Sequence, residues 1–236
     1  MYFSLVIPAY NEEQRIGETL AHIHEYVTAQ AYDWEVIVVD DGSTDRTSDI
    51  VREDFPWVKL ETYSPNRGKG HAVRAGMRLA RGAYRVFYDA DASTPIEEVE
   101  KLWPQFKSGA DIVIGSRAMP GSEVQSHQAW YRENMGRIFN VILRALGLTH
   151  FRDTQCGFKG FSAAACEIVF TRQTIEGFGF DVELLYIAAK HGMRVVQVPV
   201  RWRNSKKTTV NPITDSARMV AEAVSIRLKD VRGLYR

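Results

Sequence analysis

The chain has 236 residues, of which 45% are hydrophobic and 25% are charged. These proportions are typical of a folded globular protein and argue against a disordered chain, a collagen or a coiled coil. Lys and Arg number 30 against 29 Asp and Glu, which gives a formal net charge of +1. Because this charge gives no support for a nucleic-acid-binding protein, we expect no nucleic acid among the partners.

The cysteines and the N-terminal segment bear on the cellular compartment. Cys156 and Cys166 fit neither a disulfide framework nor a zinc spacing, so a reducing compartment is the simplest interpretation. The opening sequence MYFSLVIPAYNEE lacks a basic n-region, and its apolar run is too short for a signal peptide or a membrane span. We therefore expect a cytoplasmic protein.

Short apolar runs rich in β-branched residues recur along the chain, and each predicts a strand. They are FSLVIPA from Phe3, EVIVVDD from Glu35, VKLETY from Val58, YRVFYDAD from Tyr84, DIVIGSR from Asp111 and RVVQVPVRW from Arg194. Segments of helical period separate the early strands, at Glu12–Gln30 and Thr44–Glu53. Strands that alternate with helices predict an α/β fold with a mostly parallel sheet flanked by helices.

Two further helices are predicted in the second half of the chain, at Trp130–Leu148 and from Ile213 onward. The second mixes apolar with basic residues. That mixture suits either a helix on the surface of an anionic membrane or one packed on the domain. The sequence leaves both alternatives open.

Polar clusters follow several of the predicted strands, where ligands of open α/β sheets bind. They are PAYNEE, DDGSTD, DADAS and GSR. Asp40 ends the second strand, and a carboxylate there can accept hydrogen bonds from a base or a ribose. The residues after it fit a turn and a helix cap.

A glycine-flanked lysine, Lys69, precedes a helix in SPNRGKGHAVRAG. Backbone N–H groups at a helix start together with a lysine suit a diphosphate. A plain surface turn is the alternative. The spacing matches neither a dinucleotide-binding fingerprint nor a P-loop.

Two carboxylates, Asp89 and Asp91, end the strand in VFYDADASTP. Like charges placed so close together favour a cation between them, and Mg²⁺ is commonly held by one or two carboxylates plus phosphate oxygens. Such a metal would assist departure of a nucleotide diphosphate. The alternative is a solvated turn before Pro95.

The motifs VIPAYNEE, VIVVDDGSTD, NRGKGHAVRAGM, DADAST, GSR and DTQCGFKGF occur in this order from Phe3 onward. As an ordered set the chain resembles the inverting, GT-A fold family 2 glycosyltransferases that include dolichyl-phosphate mannose and glucose synthases. RDTQCGFKGF followed by GFGFDVELLYIA is especially similar to dolichyl-phosphate β-glucosyltransferases, which use UDP-glucose. The resemblance implies a catalytic domain at residues 1–212, with the C-terminal helix at 213–236.

The resemblance also implies roles for individual residues. Those of the nucleotide-sugar pocket are Pro8, Ala9, Tyr10, Glu12, Asp40, Lys69, Asp89 and Ala90. Asp89 and Asp91 would hold Mg²⁺ or Mn²⁺, with Gln155 as a further ligand. Arg117 and Arg132 match basic positions that face the acceptor phosphate. The polar segment Trp202–Pro212 has the composition of a loop that closes over donor and acceptor.

The acceptor decides whether a general base is required. A hydroxyl must lose a proton as it attacks, whereas a polyprenyl phosphate is already an anion and needs cationic positioning instead. For a hydroxyl acceptor, Asp181 and Glu183 become the base candidates, although acidic residues at a helix start are also ordinary.

We expect an inverting transferase that moves glucose from UDP-glucose to a polyprenyl phosphate, with possible peripheral attachment to a membrane. Alternatives are GDP-mannose or UDP-N-acetylglucosamine as donor, or a glycan hydroxyl as acceptor. A non-catalytic nucleotide-sugar-binding protein is the alternative from another class.

Overall fold

The computed structural model describes residues 2–126, 130–203 and 214–236. Its strands are β1 (Phe3–Ala9), β2 (Trp34–Asp40), β3 (Lys59–Thr62), β4 (Tyr84–Tyr88), β5 (Ile112–Ser116), β6 (Glu123–Ser126), β7 (Phe158–Ser162), β8 (Val195–Pro199) and β9 (Arg201–Arg203). Its α-helices are α1 (Ile16–Thr28), α2 (Thr47–Asp54), α3 (Lys69–Leu79), α4 (Trp103–Lys107), α5 (Trp130–Ala145), α6 (Ala163–Arg172), α7 (Phe180–Lys190) and α8 (Thr214–Val231). A 3₁₀ helix covers Ile96–Lys101.

The central sheet has seven strands in the order β3-β2-β1-β4-β7-β5-β8. Strand β7 runs antiparallel to both neighbours, and the other pairings are parallel. The predicted mostly parallel α/β sheet is confirmed. A separate pair, β6 and β9, forms a two-stranded sheet.

Strand β7 is the central strand that the sequence did not predict. Its sequence FKGFS places Lys159 and Gly160 between two phenylalanines, so it lacks the continuous apolar run of the other central strands. In the sheet, Lys159 lies opposite Phe87 of β4 and Ile114 of β5. The segment just before β7 is thereby brought beside the end of β4.

Apolar residues cover both faces of the sheet, which explains why β2 reads as an unbroken apolar run. One face packs on α3, α6, α7 and α8 through residues such as Val6, Val73 and Phe180. The other packs on α1 and the 3₁₀ helix through residues such as Leu5, Leu20 and Val99. The carboxyl ends of β1, β2 and β4 lie at one edge of the sheet, because these strands are parallel neighbours.

Helix α8 packs on the domain. This is one of the two arrangements expected for it, the other being a helix on a membrane surface. Met219, Ala223 and Ile226 are buried in the same core as α7. The carboxylate of Glu222 accepts a hydrogen bond from the N–H of Gly179 at 2.7 Å. Among the described residues, no helix is long and apolar enough to cross a membrane. Of the predicted loop at Trp202–Pro212, Trp202 and Arg203 lie in β9, and residues 204–212 lie outside the described ranges.

Candidate active site

Three parallel strands place their carboxyl ends side by side. Ala9 of β1 lies opposite Asp40 of β2, which lies opposite Thr62 of β3. Pro8 and Ala9 are buried within β1, whereas Tyr10 directly after the strand is exposed. Asn11 follows with a positive φ of 55°, and its Oδ1 accepts a hydrogen bond from the N–H of Thr44 at 2.8 Å. The sequence thus brings the predicted pocket residues of β1 and β2 to one edge.

Asp40 is buried and is already engaged by its own turn. Its Oδ1 accepts hydrogen bonds from the N–H and the hydroxyl of Ser43 at 2.9 and 2.5 Å. Its Oδ2 accepts a hydrogen bond from the hydroxyl of Ser48. Little acceptor capacity remains, because a carboxylate offers about four lone-pair positions. Contact between Asp40 and a base or ribose stays a prediction.

Asp41 holds the glycine-flanked turn, a role that the sequence did not reveal. Its Oδ1 accepts from the N–H of Arg67 at 2.8 Å, and its Oδ2 accepts from the N–H of Gly68 and from Asn66 Nδ2, each at 2.8 Å. Gly68 has a φ of 107°, a conformation that favours glycine. Asp41 therefore fixes the backbone from which Lys69 begins α3.

The ammonium of Lys69 contacts Asp89, the residue directly after β4. Its Nζ lies 2.6 Å from Asp89 Oδ1. Burial alone would lower the pKa of Lys69, but Asp89 and other nearby carboxylates raise it above its ordinary value. Lys69 is therefore a cation at the point where the sequence predicts a diphosphate.

Gly157 forms the wall against which Asp89 rests. The N–H of Asp89 donates to the carbonyl of Gly157 at 3.2 Å. A Cβ at residue 157 would fall 1.8 Å from Asp89 Oδ2, so the carboxylate would have to move. Gly157, directly before β7, therefore leaves room for the carboxylate in its observed position.

Asp91 and Glu12 add two more carboxyl groups beside Asp89. Burial and the charge of Asp89 raise the pKa of Asp91 above its ordinary range. Burial also raises the pKa of Glu12, with Asp91 and Asp89 adding to the shift and Arg15 opposing it. Arg15 donates to Glu12 through Nε and Nη2, both at 2.6 Å. Negative charge thus accumulates here without full compensation.

This arrangement fits a divalent cation. Two carboxylates, Asp89 and Asp91, lie together, and burial and the charge of Asp89 raise the pKa of Asp91 although Lys69 opposes the shift. Within the described ranges, no group of three or more His, Cys, Asp or Glu side chains could hold a metal. Two carboxylates plus donor phosphate oxygens would complete a magnesium or manganese site.

The side-chain amide nitrogen of Gln155 contacts α8 and not the carboxylates of Asp89 and Asp91. Its Nε2 lies 3.6 Å from Sδ of Met219 in α8. Its backbone N–H donates to Asp153 at 3.2 Å. The predicted metal-ligand role of Gln155 receives no support from these contacts and stays a prediction.

Arg117 forms an ion pair with Asp153, which the sequence did not indicate. Its Nε and Nη2 each donate to Asp153 at 2.8 Å, and its backbone N–H donates there at 2.9 Å. The guanidinium carbon lies 5.3 Å from the ring centre of Trp202. Burial alone would raise the pKa of Asp153, but Arg117 lowers it to about 2. Part of the predicted acceptor-binding charge is thus neutralised.

The two base candidates have different surroundings. Glu183 is fully buried and accepts hydrogen bonds from Thr174, from the N–H of Ile175 at 2.8 Å and from the hydroxyl of Tyr235 at 2.6 Å. These contacts tie Tyr235 to α7 and give no support to Glu183 as a base, a role that stays a prediction. Asp181 is paired with Lys159 at 2.6 Å.

Two further predicted site residues are Ala90, in the segment after β4, and Arg132, in α5. The carbonyl of Ala90 accepts a hydrogen bond from the hydroxyl of Thr19 at 2.8 Å, which fastens the DAD segment to α1. Arg132 belongs to α5, but its side chain lies outside what the structure describes. Its predicted contact with an acceptor phosphate stays a prediction.

Known proteins resemble this chain in sequence over nearly its whole length. The sequence pattern of glycosyl transferase family 2 matches residues 4–170. A dolichyl-phosphate beta-glucosyltransferase of Saccharomyces cerevisiae is 34% identical over 100% of this chain and 77% of its own length. One of Homo sapiens is 33% identical over 99% of this chain and 77% of its own length.

A solved structure resembles the fold. Glucosyl-3-phosphoglycerate synthase from Mycobacterium tuberculosis, in complex with UDP, superposes with a TM-score of 0.71 over 95% of this chain and 79% of its own. The sequence identity is 21%. The same enzyme has been solved in complex with Mn²⁺, UDP and phosphoglyceric acid, and that structure superposes with a TM-score of 0.69.

Proposed function

The chain belongs to glycosyl transferase family 2, and we propose that it transfers glucose from UDP-glucose to a dolichyl-type polyprenyl phosphate with inversion at the anomeric carbon. The observation that carries this proposal is the placement of Asp89 between Lys69 and Gly157 at the end of β4. The names of the relatives support the choice of sugar and acceptor.

Asp89 and Asp91 are the residues that would hold Mg²⁺ or Mn²⁺ beside the donor diphosphate. A divalent cation bound there supplies Lewis-acid stabilisation of the departing nucleotide. Lys69, the first residue of α3, adds a positive charge beside the donor diphosphate. These groups act on charge that develops as the sugar leaves, which is where electrostatic stabilisation is most effective.

The acceptor phosphate needs positioning and no proton transfer, because it is already an anion. Arg117 is a candidate for this task through the N–H groups that Asp153 does not occupy, and Arg132 is another. With a phosphate oxygen attacking in line opposite UDP, a single displacement inverts the anomeric carbon. A hydroxyl acceptor would need a base. Glu183 is buried and accepts hydrogen bonds from Ile175 and Tyr235, and Asp181 is ion-paired with Lys159, so neither contact set favours a hydroxyl acceptor.

A lipid acceptor implies that the protein works at a membrane surface. We propose that this is the cytoplasmic surface of the membrane. Helices α5 and α8 each expose apolar side chains: Ile138, Val141, Val224, Leu228 and Val231. Exposed arginines of the same helices, Arg144, Arg218 and Arg227, would complement anionic lipids. Co-flotation with phosphatidylserine vesicles tests this attachment, and a protein that stays at the bottom of the gradient refutes it.

Donor choice is tested by competition among labelled donors. The purified protein is given dolichyl phosphate, Mg²⁺ and equal amounts of UDP-glucose, GDP-mannose and UDP-N-acetylglucosamine, with one of the three labelled in each reaction. We expect lipid-linked label from UDP-glucose. Label from another donor would replace the proposed sugar. Donor binding without transfer or hydrolysis would identify a nucleotide-sugar-binding protein instead.

A further inference from the structure

Lys159 is a fully buried lysine in the centre of the sheet. Its Nζ donates to Asp181 Oδ1 and to the carbonyl of Cys156, each at 2.6 Å, and it lies 5.0 Å from the ring centre of Phe87. Removing an ammonium and a carboxylate from water is costly even when they pair, and apolar residues of similar volume often serve stability equally well. The pair therefore calls for a reason other than stability.

The contact of Lys159 with the carbonyl of Cys156 lies next to the candidate metal ligand Asp89. Cys156 immediately precedes Gly157, whose carbonyl accepts from the N–H of Asp89 and whose missing Cβ leaves room for the Asp89 carboxylate. By binding the carbonyl of Cys156, the ammonium fixes the backbone that forms one wall around Asp89. Asp181, in the first turn of α7, holds the ammonium from the other side.

The charges around Phe87 form a connected set. Lys69 Nζ, which pairs with Asp89, lies 5.9 Å from the ring centre of Phe87, and Lys159 contacts the same ring. Asp181 acts electrostatically on Lys69 as well as on Lys159. The Lys159–Asp181 pair therefore lies next to the Lys69–Asp89 pair, on the same Phe87 ring, and no hydrogen bond among these described contacts joins the two pairs.

We infer that Lys159 and Asp181 are a positioning pair that orients Asp89 for a divalent cation and a nucleoside diphosphate. This inference rests on the proposed function. It makes Asp181 the counter-ion of a structural lysine and removes it as a proton acceptor for the substrate. Groups that orient metal ligands commonly change metal affinity or activity by about 10- to 100-fold when they are removed.

The test uses Mn²⁺-dependent binding of UDP by calorimetry, without any acceptor, so that it does not depend on which sugar or lipid is used. In Lys159→Met/Asp181→Leu an apolar pair of similar volume replaces the ion pair, which protects folding. We expect the Mn²⁺ concentration for half-maximal UDP binding to rise by about tenfold or more. Residual UDP binding in excess chelator should not change. The single variant Lys159→Met should show the same rise.

Lys190→Met is the matched control, because it breaks a Lys–Asp pair with Asp230 that joins α7 to α8 away from Asp89. It should leave the Mn²⁺ titration unchanged. A titration of the double variant that coincides with that of the parent overturns the inference. Asp181→Asn separates the two roles of Asp181. If Asp181→Asn slows transfer but leaves the Mn²⁺ titration unchanged, Asp181 is a general base and the positioning role is refuted. Failure of the proposed function would instead appear only as the absence of a lipid product.

Discussion

Gly157 and Asp89 fit together so closely that a methyl group on residue 157 would overlap the Asp89 carboxylate, 1.8 Å from Oδ2. Gly157→Ala should therefore displace Asp89 and weaken Mn²⁺-dependent UDP binding by at least about tenfold. Gly136→Ala is the control, because a Cβ there meets nothing within 4 Å in helix α5. Equal binding by the two variants would show that Asp89 does not need its observed position.

Asp91→Asn should abolish the metal dependence of donor binding, because an amide replaces one of two carboxylates that share a cation. The variant should bind UDP equally in Mn²⁺ and in chelator. Asp49→Asn, on an exposed part of α2, should keep the metal dependence of the parent. A normal manganese titration for Asp91→Asn would remove this residue from the ligand set.

Asp41→Ala should loosen the turn that precedes Lys69. In this variant the N–H groups of Arg67 and Gly68 lose their acceptor, and Asn66 keeps only its hydrogen bond to the carbonyl of residue 41. Hydrogen bonds to a charged acceptor are each worth about 1.5–3 kcal/mol, so amide exchange at residues 67 and 68 should accelerate by at least about tenfold. Exchange in β8 serves as the internal reference. Unchanged protection at both amides would mean that α3 orders this turn by itself.

The Arg117–Asp153 pair should make part of the stability acid-sensitive. The pKa of Asp153 is lowered from 3.8 to about 2, so its contribution is complete above its ordinary pKa and is lost as the pH falls toward the lowered value. The shift corresponds to about 2 kcal/mol. Asp153→Asn should be less stable than the parent at neutral pH, and its unfolding free energy should fall less between about pH 4.5 and about pH 2.5. Parallel curves would contradict this role for Asp153.

The elements with strong apolar patterns could be predicted from the sequence, and those that depend on distant pairing could not. Strands β1, β2 and β4 and helix α1 follow from runs and periods. Strand β7 did not, because its lysine is neutralised by Asp181, which is 22 residues away along the chain. The same limit applies to Arg117, whose partner Asp153 is 36 residues away.

Within the candidate site, residue type predicts a role when the residues that act together are close neighbours along the chain. The two carboxylates after β4 indicate a cation site from the sequence alone, because they are neighbours along the chain. The adjacent pair Asp40 and Asp41 indicates a ligand site, but not which carboxylate binds Ser43 and Ser48 and which holds the turn before Lys69. That division follows from the alternating directions of side chains at the end of a strand.

Transfer of label from UDP-glucose to dolichyl phosphate by the purified protein is the decisive measurement of the proposed activity. The reaction is run with Mg²⁺ for the parent, for Asp91→Asn and without acceptor. We expect an organic-extractable, mild-acid-labile glucolipid that forms only with the parent and only when dolichyl phosphate is present. Label that remains entirely in the aqueous phase, although UDP-glucose binds, would contradict a polyprenyl phosphate acceptor.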